Sequence, residues 1–132
     1  MSSRESPVYH IADLQRLMER LRDPDTGCPW DLKQTYQSIA PYTLQECLEL
    51  IDALEQGDLA HVEEELGDLL FSMVNLARHL NINADHSLNS SNNKFIRRFM
   101  AVEKRCKELN LKIGEMSLTD LDKIWDQVKE KE

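Results

Sequence analysis

Two pairs of acidic residues recur in this sequence at the spacing of one helical turn. Glu46 stands three residues before Glu49, and Glu65 stands three residues before Asp68. At about 100° per residue, this spacing places both members of a pair on one side of a helix. Carboxylate oxygens are ligands that Mg²⁺ prefers, and Mg²⁺ usually keeps water and phosphate oxygens among its ligands. The four acids therefore predict a magnesium site, with an ordinary solvated helix face as the alternative.

The distribution of charge favours the metal site over the solvated face. No Lys or Arg occurs between Lys33 and Arg78, although this stretch contains nine Asp and Glu residues. A solvated face normally interleaves both signs, and self-repulsion costs stability unless a cation lies among the carboxylates. From Lys94 to Lys112 the balance reverses to seven bases against two acids, which would suit an anion such as a phosphate chain.

Size and net charge limit the classes of protein that fit this sequence. The 132 residues suit a single domain, 1–132, and the net charge of −8 makes nucleic acid or an anionic membrane an unsuitable partner. No apolar run approaches the roughly 18–20 residues needed to cross a bilayer, and the N-terminus lacks the features of a signal peptide. The three cysteines have no metal-type spacing, which favours free thiols in a reducing compartment. We expect a cytoplasmic protein.

The apolar residues recur at helical spacing and show no alternation typical of strands, which predicts an all-α bundle of four or five helices. The first helix should begin near Pro7 with Ser6 as its cap, and the second near Thr43. A break at Gly57 and Asp58 should make the second and third helices antiparallel neighbours, so that the two acid pairs converge. The apolar positions expected to face inward on these three helices are Ile11, Leu14, Leu17, Met18 and Leu21; Leu44, Cys47, Leu48, Ile51 and Leu54; and Val62, Leu66, Leu69, Leu70, Met73, Leu76 and Leu80.

The C-terminal half predicts two further helices. Residues 81–93 are polar, which predicts that part of this segment is loop, and Asp85 is a candidate cap for the next helix. Ser117 and Asp120 form a capping pattern for the last helix, which should bury Leu118, Leu121, Trp125 and Val128. Between them runs a heptad-like seam of Leu88, Asn92, Phe95, Phe99, Val102, Cys106 and Leu109. The large apolar faces of so short a chain predict a homodimer or a higher homo-oligomer.

Several motifs together resemble the MazG family of nucleoside triphosphate pyrophosphohydrolases. The family signature, EExxE followed by ExxD, is matched by residues 45–49 and 65–68, and the resemblance covers nearly the whole chain. The other matching segments are Gly27-Cys28-Pro29-Trp30-Asp31, Gln34-Thr35, Ala40-Pro41-Tyr42-Thr43-Leu44 and Glu64-Glu65-Leu66-Gly67-Asp68-Leu69-Leu70-Phe71.

This resemblance implies a fold of the all-α NTP pyrophosphatase type, typically dimeric. It also implies Mg²⁺-dependent hydrolysis of a nucleoside or deoxynucleoside triphosphate between the α and β phosphates, giving the monophosphate and pyrophosphate. Mn²⁺ could substitute for Mg²⁺. The implied catalytic residues and metal ligands are Glu46, Glu49, Glu65 and Asp68.

The resemblance implies nucleotide contacts as well. The family's K-x-x-x-R element matches Lys94 and Arg98, and an aromatic near the C-terminus matches Trp125. Without the resemblance, the first two fit an ordinary basic face and Trp125 fits a structural core residue equally well. Two positions depart from the family pattern: Gln45 replaces the first Glu of EExxE, and His61 stands where similar proteins often have Lys.

Two other functions compete with this reading. One is a related all-α pyrophosphohydrolase specific for dUTP, dCTP or phosphoribosyl-ATP. The other is a helical module that binds nucleotide without catalysis, for which the departures at Gln45 and His61 are the only support. The retention of all four acids argues against the second. No Ser-His-Asp or Cys-His arrangement is present, so we expect no covalent intermediate.

Overall fold

The computed structural model describes residues 7–132, and the predicted cap Ser6 lies outside them. The described chain contains only helices, which confirms the all-α class, and no helix in it is long and apolar enough to cross a membrane. The elements are α1 (Ile11–Leu21), α2 (Pro29–Lys33), α3 (Tyr36–Gln56), α4 (Leu59–His79), α5 (Ala84–Glu108), a 3₁₀ helix (Ile113–Glu115) and α6 (Leu118–Glu130). Six α-helices exceed the predicted four or five, because α2 lies in a segment predicted to be a turn.

The described residues divide into two compact units, with the boundary between His86 and Ser87. The centre of the first unit is the antiparallel pair α3 and α4, and α1 packs against α4. The prediction of a single domain over residues 1–132 stays a prediction.

A two-residue turn joins α3 to α4, as predicted. Gly57 adopts the left-handed conformation (φ 75°), and its N–H donates to the carbonyls of Ala53 and Leu54, both at 3.2 Å. The Asp58 carboxylate then accepts from the N–H of Ala60 at 3.1 Å and of His61 at 3.4 Å. Glycine ends the first helix because it adopts positive φ without steric cost, and Asp58 starts the next by satisfying its free amides.

Two predicted helix starts are wrong. The second predicted helix, α3, begins at Tyr36 rather than near Thr43, because Thr35 and Ser38 cap it reciprocally: Ser38 N–H donates to Thr35 Oγ1 at 3.2 Å, and Thr35 N–H donates to Ser38 Oγ at 3.0 Å. Pro41 is therefore inside the helix. The first helix begins at Ile11 instead of near Pro7, where the N–H of His10 donates to the Asp13 carboxylate at 2.9 Å.

The large apolar stripe predicted to face inward on α3 is mostly exposed. Leu44 is 63% exposed, and Leu48, Ile51 and Leu54 are exposed as well, whereas Ala53 is fully buried. On α4, Val74 is buried while Leu66, Leu70 and Met73 are exposed. The two helices thus pack through a face with a small residue, which permits close approach and leaves the bulkier side chains outside this chain's own core.

The second unit has a small core of its own. Val102, Cys106 and Ile124 are buried, with Leu121, Trp125 and Val128 packed around them. Ser117 caps α6 by accepting from the Asp120 N–H at 3.1 Å, as predicted. Leu118 is 80% exposed, contrary to prediction, because it occupies the first position of α6. Of the predicted seam, Val102 and Cys106 are buried, whereas Leu88, Phe95, Phe99 and Leu109 are exposed.

The start of α5 also differs from the prediction. Residues predicted to be partly loop are helical from Ala84 onward. The cap is Asn83, whose side-chain oxygen accepts from the His86 N–H at 2.9 Å, and Asp85 lies within the first turn.

Two glycine substitutions should have opposite effects on stability. Gly57→Ala should lower the free energy of unfolding by about 1–2 kcal/mol because alanine resists positive φ. Gly67→Ala should raise it by about 0.5–1 kcal/mol because Gly67 lies inside α4, where alanine is the better helix former. A methyl group at either position meets no atom within 4 Å, so sterics do not obscure the comparison. Urea unfolding measures both values, and equal effects of the two variants would contradict the assigned turn.

Candidate functional site

The hairpin sets the register of the two acid pairs. Glu49 and Glu65 each lie eight residues from Gly57, and Glu46 and Asp68 each lie eleven residues from it. Both helices rise about 1.5 Å per residue, so residues equally far from the turn lie at the same level. The hydroxyls of Thr43 and Ser72, farther along the hairpin, are 2.8 Å apart and confirm this register.

Three of the four predicted acids converge. Glu46, Glu49 and Glu65 each offer a carboxylate oxygen, and these oxygens lie within 4.8 Å of one another. All three residues are partly buried. Among the described residues, Glu46 Oε2 and Glu65 Oε2 are buried without a hydrogen-bond partner. Buried carboxylate oxygens normally have a partner, so these two can accept a ligand without losing an existing bond.

Asp68 lies beside this group and is not one of the three converging residues. Its side chain is exposed, and it lines the same cavity as Glu46. Burial raises the pKa of Glu46 above its ordinary value, and the charges of Glu49, Asp68 and Glu65 raise it further. The other three carboxylates therefore act electrostatically on Glu46, and a cation among them would relieve this repulsion.

The two departures from the family pattern both contact the cluster. The side-chain amide of Gln45 donates to Glu49 Oε1 at 3.4 Å. His61 Nε2 lies 3.1 Å from Glu65 Oε1, one turn along α4. A glutamate at position 45 would add a further negative charge beside Glu49, whereas the amide donates to it. The sequence marked both positions as departures without predicting these contacts.

The donor set fits a hard divalent cation. Mg²⁺ takes oxygen ligands at about 2.0–2.1 Å, so the ligand oxygens of one ion lie at most about 4.2 Å apart. The oxygens of Glu46, Glu49 and Glu65 all lie within 4.8 Å of one another, which is close to this separation. No cysteine belongs to the cluster, which is consistent with a metal that prefers oxygen to sulfur.

A cavity of about 480 Å³ opens beside the acids in the first unit. It is lined by Gln34, which follows α2, and by residues of α3 and α4. Its lining consists of Gln34, Ile39, Tyr42, Glu46, Asp68, Phe71, Ser72 and Asn75. The sequence did not predict Gln34, Tyr42, Phe71 or Asn75 as site residues, although the first three lie in segments that carry the family resemblance.

The other predicted binding residues belong to the second unit. Lys94 is exposed on α5. Arg98 pairs with Glu132 through two hydrogen bonds of 2.8 Å, from Nε and from NH2, and this pairing lowers the pKa of the Glu132 carboxyl. Trp125 is partly buried against the core, with its ring centroid 5.8 Å from that of Phe95. This packing supports the interpretation of Trp125 as a structural core residue. Its contact with a nucleotide stays a prediction.

These observations define an all-α protein with a carboxylate cluster set in a helical hairpin. A sequence model of the MazG nucleotide pyrophosphohydrolase domain matches residues 34–102, which is more than half of the chain. The chain therefore belongs to the MazG family, as its motifs predicted. The matched range contains the four acids, Lys94 and Arg98, whereas Trp125 lies outside it.

Named relatives support this assignment. The chain is 52% identical over 67 residues to the nucleoside triphosphate pyrophosphohydrolase of Escherichia coli K12, and this match covers 51% of this chain and 26% of that protein. It is 47% identical over 62 residues to the nucleoside triphosphate pyrophosphohydrolase/pyrophosphatase MazG of Thermotoga maritima, and this match covers 47% of this chain and 24% of that protein. The matched region thus spans about a quarter of the length of these relatives.

A solved structure resembles nearly the whole chain. It is the crystal structure of a mazG-related protein from Thermotoga maritima, with a TM-score of 0.59 and 27% sequence identity. The match covers 90% of this chain and 98% of that one.

Replacing Glu46 with Gln should stabilise the metal-free protein at neutral pH. The pKa of Glu46 is raised in the folded chain, so the native state binds more protons than the unfolded state between the ordinary and the raised pKa. The free energy of unfolding that depends on this group therefore falls as the pH rises through that window. Glu46→Gln removes the charge, and it therefore also removes this fall in the free energy of unfolding. Thermal unfolding of both proteins from about pH 4 to pH 8 spans the ordinary carboxyl range and neutrality.

Glu63→Gln is the matched control, because Glu63 is an exposed acid on α4 and should leave the profile unchanged. Added Mg²⁺ should raise the melting temperature of the parent and of Glu63→Gln. It should raise that of Glu46→Gln less, because a ligand stabilises the native state less when it binds more weakly. Identical responses of all three proteins would place the cation elsewhere.

Proposed function

We propose that this protein hydrolyses nucleoside or deoxynucleoside triphosphates between the α and β phosphates in the presence of Mg²⁺, giving the monophosphate and pyrophosphate. The observation that carries the proposal is the convergence of Glu46, Glu49 and Glu65 beside an open cavity. Membership of the MazG family and the names of the relatives support it. Mn²⁺ is the expected substitute because it favours the same oxygen ligands.

In this proposal the acids hold the cation and the attacking water. Glu46, Glu49, Glu65 and Asp68 are the metal ligands, and Asp68 completes the set by turning its exposed carboxylate toward the other three. Bound Mg²⁺ would polarise the α-phosphoryl group and neutralise the leaving pyrophosphate. One of the acids, with Glu49 as our candidate, orients or deprotonates the water that attacks the α-phosphorus.

Lys94 and Arg98, which are one turn apart on α5, are the proposed phosphate-binding residues of the second unit. Arg98 already holds a carboxylate with two parallel hydrogen bonds, and the same fork geometry suits a phosphate. On binding, a β or γ phosphate would replace Glu132 as the partner of this guanidinium. We retain Trp125 as a proposed nucleotide contact, and the cytoplasmic location expected from the sequence stays a prediction.

Loss of one metal ligand should remove most of the activity. Glu49→Ala and Asp68→Ala should each lower kcat/KM for pyrophosphate release by about a hundredfold or more, since metal stabilisation of the transition state is worth several kcal/mol. Glu63→Ala, which removes an exposed acid from α4, should change the rate less than about twofold.

Pyrophosphate release is measured across the common nucleoside triphosphates, with dUTP, dCTP and phosphoribosyl-ATP included to identify the substrate range. Circular dichroism checks that each variant is folded. Unchanged turnover in Glu49→Ala or Asp68→Ala would remove that residue from the site, and absence of turnover in the parent protein would favour a binding module without catalysis.

We also propose that the whole chain, residues 1–132, acts as one MazG-like domain and forms a homodimer or a higher homo-oligomer. The exposed apolar residues of α3 and α4, including Leu44, Leu48 and Leu70, are a large surface for a single chain to leave in water. A dimer would bury them and enlarge the bundle.

Light scattering at micromolar concentration should therefore give at least twice the 15.4 kDa mass of one chain. Leu48→Glu, which places a charge on this surface, should shift the protein toward the monomer. The exposed Glu55→Lys variant on the same helix is the control for a changed charge alone. A parent protein that is monomeric under these conditions would contradict the proposed assembly.

A further inference from the structure

The cavity beside the acids contains no positive charge. Two of its lining residues, Glu46 and Asp68, are acids, and none of the others is Lys or Arg. A phosphate chain would be repelled from such a wall except where a cation intervenes. The uncharged part of the cavity therefore suits the uncharged part of a nucleotide.

Two aromatic side chains line this uncharged part. Tyr42 on α3 is 65% exposed and Phe71 on α4 is 54% exposed. Aromatic rings open to solvent in a concave site provide flat apolar faces, and nucleobases stack on such faces regardless of their identity. Stacking alone would bind a base without selecting among bases.

Two amide side chains lie in the same lining, Gln34 and Asn75. Each carries a donor and an acceptor group, as the hydrogen-bonding edge of a nucleobase does. Ser38 Oγ donates to Gln34 Oε1 at 2.6 Å, which fixes that amide and leaves its NH₂ group as the donor. The backbone carbonyl of Asn75 accepts a hydrogen bond from His79 Nδ1 at 2.9 Å, which braces this turn of α4.

Asp31, three residues before Gln34, lies near side chains from two other segments of the first unit. Asp31, in α2, lies 3.7 Å from Arg22 NH1 and 3.8 Å from Nε2 of His79, whose side chain is 1% exposed. These contacts tie α2 to the end of α1 and to α4, and Gln34 is the residue that follows α2. Both separations are longer than a hydrogen bond, and Gln34 directly follows a helix that lies close to two others.

We propose that Gln34 and Asn75 read the hydrogen-bonding edge of the nucleobase while Tyr42 and Phe71 stack on its faces, so that this cavity sets the base preference of the enzyme. The inference rests on the proposed function, because it assigns the base of the same triphosphate whose α-phosphate lies at the acids. The acids and the cation select for the triphosphate, and the four uncharged residues select among bases.

The kinetic test separates recognition of the base from recognition of the triphosphate. Gln34→Ala and Asn75→Ala are compared with the parent on the four common ribonucleoside triphosphates and on methyl triphosphate, which has no base. Each variant should lower kcat/KM for the preferred nucleotide by about ten- to a hundredfold, because the base is left with an unpaired polar group. The ratio of kcat/KM between the preferred nucleotide and the other nucleotides should therefore fall. The rate on methyl triphosphate should change less than twofold.

Gln37→Ala is the matched control, because Gln37 is an exposed amide on α3 outside the cavity lining, and it should retain the parent ratios. Melting curves by circular dichroism confirm that the variants are folded. An equal loss of kcat/KM on every substrate, methyl triphosphate included, would overturn the proposal. So would ratios of kcat/KM among the nucleotides that are the same in Gln34→Ala and Asn75→Ala as in the parent.

A second measurement does not need turnover. The side-chain amide resonances of Gln34 and Asn75, assigned by their disappearance in the alanine variants, should shift when UMP, CMP, AMP or GMP is added, and the shifts should differ among these monophosphates. If the parent hydrolyses nothing but these resonances shift, the proposed catalysis fails and the base site stands. If turnover is present and neither resonance shifts with any of the four, the base site fails and the catalysis stands.

Discussion

Mutual repulsion among carboxylates held between two helices is the constraint on which this structure depends. Glu46, Glu49 and Glu65 bring oxygens within 4.8 Å of one another at the margin of a packed interface. A protein that needed only stability would not keep them there, because charged groups away from full solvation raise the free energy of the native state. The two-residue turn at Gly57 and Asp58 imposes this closeness by bringing equal lengths of α3 and α4 alongside each other.

The neighbours of the acids reduce this cost without removing it. Gln45 donates to Glu49, and His61 contacts Glu65, so each of two acids has one partner on its own helix. Glu46 has burial and three like charges around it, and its pKa rises as a result. A cation among the acids would favour the charged form of Glu46. The two departures from the family pattern are compatible with the site, because both supply polar contacts to the acids they adjoin.

Sequence periodicity predicted the parts of the structure that local rules determine. The Gly57-Asp58 turn and the Ser117 cap follow from short-range chemistry and appear as expected. The α3 start was missed because Pro41 suggested a boundary, whereas the reciprocal Thr35–Ser38 cap begins the helix earlier. The inward face of α3 differs from the prediction because the small Ala53 is fully buried, whereas the bulky Leu44 and Leu54 are exposed. The cavity joins Gln34 to Asn75, 41 positions apart, and no periodic pattern encodes such a meeting.

The hairpin places an unusual limit on how this chain can vary in length. One residue inserted within the helical part of α4 before Glu65 would turn the rest of that helix by about 100° and displace it by about 1.5 Å. Glu65 and Asp68 would then face away from Glu46 and Glu49, even if every side chain were unchanged. A residue added to a connection outside the hairpin, such as residues 109–117, would leave this register unchanged.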